Sequence, residues 1–211
     1  MGRPRSEEAR DTRRDILEAA LDLFAERGFH ATSMRALAAA VGVRESAIYH
    51  HFPSKEAILL EVAADRSGQV SSVLHGELAG VMARPLEEIL TVFARIALEH
   101  ITSPAHQKLM RILLADGAAL ISDNETSFRQ LAEEPRKALG RALAQLKRDG
   151  KVRDDLELEM FHVHFMMPLL VASGALFGGA ARPFGTMPIH RFVKQHVALM
   201  ARAIAPSRGR K

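Results

Sequence analysis

The chain has no cysteine and no tryptophan, a single tyrosine, and aromatic residues at only 5% of its 211 positions. Without cysteine there is no disulfide framework, no thiolate zinc site and no cysteine nucleophile. Charge of one sign is scarce too. Lys and Arg number 29 against 25 Asp and Glu, a net +4 that creates little overall field for a polyanion. Residues 1 to 55 carry nine basic and eight acidic side chains, so only a local arrangement of charge can argue for DNA. The stretch from Phe165 to Ala181 has no charged residue, but it contains Pro168 and Gly179 and is shorter than the ~20 residues of a membrane span. It also lacks Trp and Tyr anchors, so no membrane partner is expected. The start does not follow the basic-then-apolar plan of a secretory signal, and a cytoplasmic location is the expectation. Enzyme motifs are missing as well: no GxxxxGK(S/T) phosphate cradle, no GxSxG elbow, no HExxH. Acidic neighbours such as Glu87 with Glu88 and Asp154 with Asp155 suit helix starts or solvated faces, where they favour the macrodipole. Neither an enzyme nor a cofactor is expected.

What is present is helix. Hydrophobic residues make up 47% and charged residues 26% of the chain, an ordinary folded composition, and no stretch alternates with the period of a strand. The run from Thr32 to Leu59 is the most informative. Leu37, Ala38 and Val41 share one face of a short helix, Gly42 interrupts, and Val43, Ala47 and Ile48 anchor a second helix against the first. Ala38 is small enough for a close crossing, and Gly42 suits the φ > 0 turn that reverses a chain after a helix. The second helix then projects Arg44, Glu45, Ser46, Tyr49 and His50 outward, in the manner of a helix that enters the major groove.

This stretch closely resembles the DNA-binding domain of the TetR family of bacterial transcription regulators, whose pattern Leu-Tyr-x-His-Phe followed by Ser-Lys-Glu appears here as Ile48, Tyr49, His50, His51, Phe52, Pro53, Ser54, Lys55 and Glu56. The resemblance extends back to about Thr12 through Arg14, Ile16, Leu17, Ala19, Ala20, Leu23, Phe24, Gly28 and Phe29, and so covers about the first quarter of the chain. One departure is Ser46, where many relatives carry glycine. The resemblance implies an all-α fold: an N-terminal three-helix DNA-binding domain with helix-turn-helix over residues 1 to 55, and a C-terminal helical ligand-binding and dimerisation domain over 56 to 211. It also implies that Tyr49, His50 and Lys55 position the protein on the DNA backbone.

Elementary chemistry adds roles to these residues. Arg44, Glu45 and Ser46 open the recognition helix, whose first residues meet base edges, while Ser33 and Arg35 open the preceding helix, which crosses the backbone. Ser54 is placed to cap a further helix, so that Lys55 and the free N–H groups of that turn face a phosphate. His51 and Phe52 suit packing. Arg3 and Arg5, in an extended Gly-Arg-Pro-Arg segment, form an arm able to enter the minor groove.

Beyond the reader, helices are expected near Ser54 to Leu78, Pro85 to Thr102, Ala105 to Leu120, Glu125 to Gly150 with a break at Pro135, Leu156 to Phe177, and Pro188 to Ile204. The apolar residues Phe93, Ile96, His100, Met110, Leu113, Leu114, Phe128, Leu131, Phe161, Phe165 and Met166 fall between the middle helices. In TetR-like proteins the equivalent helices enclose a small-molecule pocket, so Phe93, Ile96, His100, Met110, Leu114, Phe128, Phe161, Phe165 and Met166 are candidate contacts for a hydrophobic effector. The uncharged stretch with Gly174 and Gly178, and a last helix studded by Phe192, Val193, Val197, Leu199 and Met200, point to a homodimer through the last two helices. Ten histidines invite a metal test, but His162 and His164, or His190 and His196, lack the i, i+4 spacing of a helical metal clamp. No metal site is expected. The overall expectation is a homodimeric, ligand-responsive regulator, a repressor released from a palindromic double-stranded DNA operator by a small hydrophobic effector.

Overall fold

The computed structural model describes residues 5–174 and 188–206, with side chains described outside 5–10 and 116–135. Among the described residues there are eight α-helices and no strand: α1 (Arg5–Arg27), α2 (Met34–Val41), α3 (Glu45–His51), α4 (Lys55–Val81), α5 (Leu86–Ile101), α6 (Pro104–Arg148), α7 (Leu158–Ala172) and α8 (Ile189–Ile204). This is the all-α class expected from the sequence. The short helices of the reader are set by local chemistry. Ser33 is the N-cap of α2, its Oγ accepting from the Ala36 N–H at 3.1 Å, which satisfies one of the orphan donors of the first turn. Gly42 ends the helix in the left-handed region at φ 75°, and the Val43 N–H donates to the Ala38 carbonyl at 3.0 Å, a C-terminal closure that disfavours any side chain at Gly42.

The expected break at Pro135 does not occur. α6 is one helix of 45 residues in place of two. Within it Pro135 costs about 3 kcal/mol and Gly117 about 1; the apolar register on both sides outweighs them, Leu109 and Ile112 being buried near its start and Leu139, Leu143 and Leu146 near its end. α7 stops at Ala172 rather than Phe177, closed by Gly174 at φ 74°.

The chain packs as two compact units. The first holds residues up to Arg66 together with Pro104–Leu131. The sequence boundary after residue 55 marks the end of the reader motif; the packed unit runs further and takes in the first part of α6. Its core joins Ile16, Ala20 and Phe24 of α1, Leu37 and Ala38 of α2, Ile48 of α3, and Ile58, Leu59 and Val62 of α4 to Leu109 and Ile112 of α6. Arg13 pairs with Glu61 at 2.9 Å and Lys108 with Asp22 at 2.6 Å on its surface. The second unit comprises 67–103 and 132 onward. Leu74 and Leu78 of α4, Leu90, Phe93 and Ala97 of α5, Leu143 and Leu146 of α6, Phe161, Phe165 and Leu169 of α7, and Val197, Met200 and Ile204 of α8 form its core. Each such side chain contributes about 1.5–3 kcal/mol by leaving water. Lys151 closes the end of α4, its Nζ donating to the Met82 and Arg84 carbonyls at 2.7 and 2.9 Å. Among the described residues no helix is long and apolar enough to cross a membrane.

Candidate nucleic-acid interface

The α3 helix divides into two faces. Ile48 is fully buried and Phe52, which ends the helix, nearly so; these hold it against α1 and α2. Glu45 and Tyr49 stand four residues apart, as do Ser46 and His50, so they share the opposite face, and all four are exposed. Tyr49 is 52% exposed, high for a residue with this much apolar surface. Arg44 is the N-cap, extended at φ −78° and ψ 150°, with no side-chain capping bond, so its guanidinium is not spent on the helix it opens. Arg35 stands exposed in the first turn of α2, beside Ser33. Ser33 is exposed too, but its hydroxyl is already engaged in capping. The structure therefore brings Arg35, Arg44, Glu45, Ser46, Tyr49 and His50 to the exposed side of two adjoining helices.

His51 is half-buried, and its imidazole is held below the ordinary histidine range, first by burial, then by the neighbouring His50 and Arg13 charges. The Arg13 guanidinium lies over the Phe52 ring at 4.8 Å, so Arg13 of α1 supports the end of α3, a role the sequence alone does not suggest.

Lys55 is not the free cation that the sequence reading makes it. Its Nζ donates to the Phe29 carbonyl at 2.8 Å and to the His30 carbonyl at 3.4 Å, and sits 4.7 Å from the centre of the Phe29 ring. The turn around it is equally occupied. Ser54 Oγ accepts from the Ala57 N–H at 3.2 Å, and the Glu56 carboxyl is held below the usual carboxylate range, chiefly by a hydrogen bond from Ser54. An anion approaching this turn meets a carboxylate and an ammonium already turned inward. Arg5 is the first residue of α1 rather than part of an extended arm, its side chain lies outside those described, and Arg3 lies outside the described residues altogether.

Residues 16–62 also match a known pattern. The model of the family described as bacterial regulatory proteins, tetR family, matches residues 16–62, the span that holds every helix of this face. A transcriptional repressor of Rhodococcus jostii, KstR2, is 28% identical over 200 residues, 92% of this chain and 91% of the relative. Residues 16–62 are a TetR-type DNA-binding domain. The chain is accordingly a helix-turn-helix transcriptional regulator that binds DNA and not an enzyme. Solved TetR-family structures share the fold: a regulator of Mesorhizobium loti superposes with a TM-score of 0.73 at 21% identity, covering 92% of this chain and 95% of that one. The ketosteroid transcriptional regulator KstR2 of Mycobacterium tuberculosis superposes with 0.58 at 24% identity, covering 92% and 94%.

The candidate effector residues are divided between the two units. Phe93, Ile96, Phe161 and Phe165 are buried in the second unit's core. There the Phe165 ring lies 5.0 Å from Phe93, 5.4 Å from Phe161 and 5.2 Å from His196, and His196 Nε2 lies 3.0 Å from the Phe165 carbonyl oxygen. They fill the core, and Phe161 also lines an open hollow of about 690 Å³ between α7 and α8, beside Met160, His164 and His196. Met166 and His100 are half-buried in the same unit. Met110, half-buried, and Leu114, 64% exposed, belong to the first unit. The Phe128 side chain lies outside those described. A groove of about 590 Å³ that no sequence pattern signals lies between α5 and α8, lined by Leu98, Ile189, Val193 and Val197 together with Thr91, Thr102 and the charged Glu87, Arg95, Glu99 and Lys194. Its walls come from helices some 90 positions apart, which no local pattern connects.

Proposed function

We propose that this TetR-family regulator is a repressor that holds a roughly palindromic operator as a homodimer and is released by an apolar effector. The observation that carries the reading is the two-faced α3: a buried Ile48 and Phe52 on one side, and Arg44, Glu45, Ser46, Tyr49 and His50 exposed on the other. Arg44, Glu45 and Ser46 read base edges in the major groove, while Tyr49, His50, Arg35 and Ser33 meet phosphate oxygens and fix the register. Arg3, which precedes α1 in the sequence, extends contact into the minor groove.

A second copy of the chain is proposed to cover the outer face of α7 and α8. Met160, Val163 and Met167 form a stripe at i, i+3 and i+7 and are all exposed, as is Leu199 of α8. Four large apolar side chains left in water on adjoining helices favour a partner, and a two-fold pair places two recognition helices about one DNA turn, ~34–36 Å, apart. The interface expected from Gly174 and Gly178 lies largely outside the described residues.

The effector is proposed to be a lipid-like or polycyclic compound. The reading rests on the likeness to a repressor whose structural relative is named for ketosteroids and on the apolar side chains Leu98, Ile189, Val193 and Val197 in the lining of the groove between α5 and α8. α4 belongs to both units and begins three residues after α3, so an effector that favours a different placement of α4 lowers operator affinity by a coupling of about 1–3 kcal/mol. The test is selection of bound duplexes from a randomised pool, followed by a screen of steroid and acyl compounds for release of the selected duplex. A compound that binds tightly and leaves operator affinity unchanged removes the switch.

A further inference from the structure

Arg95 belongs at once to the wall of a groove and to the ties of α4. It lines the groove between α5 and α8 beside Leu98, Val193 and Lys194. Its Nη1 donates to both carboxylate oxygens of Glu99, at 2.9 and 3.1 Å, and its Nη2 to Oε2 of Glu77. Glu99 lies one turn along the same helix, so that pair holds the guanidinium in place. Glu77 lies on α4, in the turn that buries Leu74 and Leu78 in the core of the second unit. Of the two carboxylates in the groove lining, Glu99 is already bonded to Arg95, and Glu87 stands two turns away along α5. The Lys194 ammonium is exposed on the facing wall. Arg95 and Glu77 are 44% and 45% exposed, so an anion entering the groove from solvent can compete for the guanidinium.

We propose that Arg95 receives the anionic head of the effector and relays its binding to α4 by giving up Glu77, so that the effector is an apolar body carrying a carboxylate. This rests on the reading above of a repressor released by an effector in this groove. The body lies along Leu98, Ile189, Val193 and Val197. The head, between Arg95 and Lys194, offers the guanidinium the fork-shaped acceptor it prefers and takes the place of Glu77. Glu77 then turns to water at little cost, because the pair it leaves is half exposed. α4 loses a tie to α5 and keeps its apolar packing. The tied state engages Arg95 and the untied state frees it, so the two differ in affinity for an anion, which is the condition for a ligand to shift an equilibrium. A neutral body of the same shape has no such preference.

The chain has no cysteine, so a single introduced one can tether a probe in the groove. Thr91 is exposed on the groove wall one turn before Arg95. Full-length Thr91→Cys is labelled with an alkyl methanethiosulfonate ending in a carboxylate or, as the control, in a methyl group. Affinity is measured for a duplex that the unaltered protein selects from a randomised pool, and amide hydrogen exchange is followed over residues 70–81 of α4. The relay predicts that the carboxylate tether weakens binding about fivefold and speeds exchange in α4, while the methyl tether does neither. Arg95→Met alone should weaken binding to the same degree, with no further loss when the carboxylate tether is added. Glu77→Gln, which needs no label, should weaken binding in the same direction. A carboxylate tether that leaves affinity within about twofold and exchange in α4 unchanged overturns the relay, as does an equal effect of the methyl tether or an equal added loss in Arg95→Met. Failure of the unaltered protein to select any duplex counts against the DNA-reader function, while the exchange measurement still decides the relay. A tether that acts while no free acyl or steroid acid releases the duplex counts against the effector reading alone.

Discussion

Ile112 lies in α6, some fifty residues beyond the reader motif, yet it is 2% exposed in the reader's own core with Leu109 beside it. Ile112→Ala removes three carbons from a closed core and is expected to destabilise the first unit by about 2–4 kcal/mol. Lys108, in the same turn, pairs with Asp22 at 2.6 Å, but the two side chains remain 38% and 54% exposed, so Lys108→Ala is expected to cost under about 1 kcal/mol. The two substitutions sit four residues apart and differ in burial, which makes them a controlled pair. Amide hydrogen exchange over peptides within 16–62 reads the effect where it matters. At 1.36 kcal/mol per decade, Ile112→Ala accelerates exchange of the most protected reader amides by about thirtyfold or more, and Lys108→Ala by at most about fivefold. An Ile112→Ala protein whose reader amides exchange within fivefold of the unaltered rate would show that α6 is not part of the reader's core.

Other outcomes follow from the same packing. Ser33→Ala removes the cap of α2 and should cost about 0.5–2 kcal/mol, seen as a lowered denaturant midpoint. Gly42→Ala places a Cβ at φ 75° and should cost about 1–2 kcal/mol by the same assay. Leu199→Arg puts a charge on the outer face of α8 and should convert a dimer to monomers in light scattering, with the helical circular dichroism unchanged; a retained dimer would move the interface elsewhere. His106 and His162, like His51, are held below the ordinary histidine range, first by burial. The unfolded chain therefore binds more protons than the folded one just below pH ~6.5. Their stabilising contribution is present above that pH and is lost as pH falls through the lowered folded values, and His106→Gln should flatten the thermal stability profile there.

The reader was legible because its information is local. Ser33, Gly42, Ile48 and the Tyr49 to Glu56 pattern lie within one short stretch, and capping, turn chemistry and helical period assign each of them. The second unit was legible as helix but not as a site. Phe93 and Phe165 look alike in sequence whether they line a cavity or fill a core, and only their burial and mutual ring distance of 5.0 Å show that they fill it. The break expected at Pro135 failed because a propensity penalty is smaller than the apolar register on either side of it. The partners of Lys55 were hidden for a different reason. A lysine following a capping serine looks free until the chain 26 residues earlier folds its carbonyls onto it, and the partnership of Ile112 with the reader is longer in range still.

Footprinting on a duplex selected from a randomised pool, repeated across a salt series and with Arg44→Ala, tests the central claim most directly. The account predicts two protected half-sites about one helical turn apart, a salt-sensitive affinity, and a loss of roughly 1–3 kcal/mol with relaxed preference at a single base pair in Arg44→Ala. Selection of no sequence, or protection indifferent to Arg44→Ala and to salt, would contradict it.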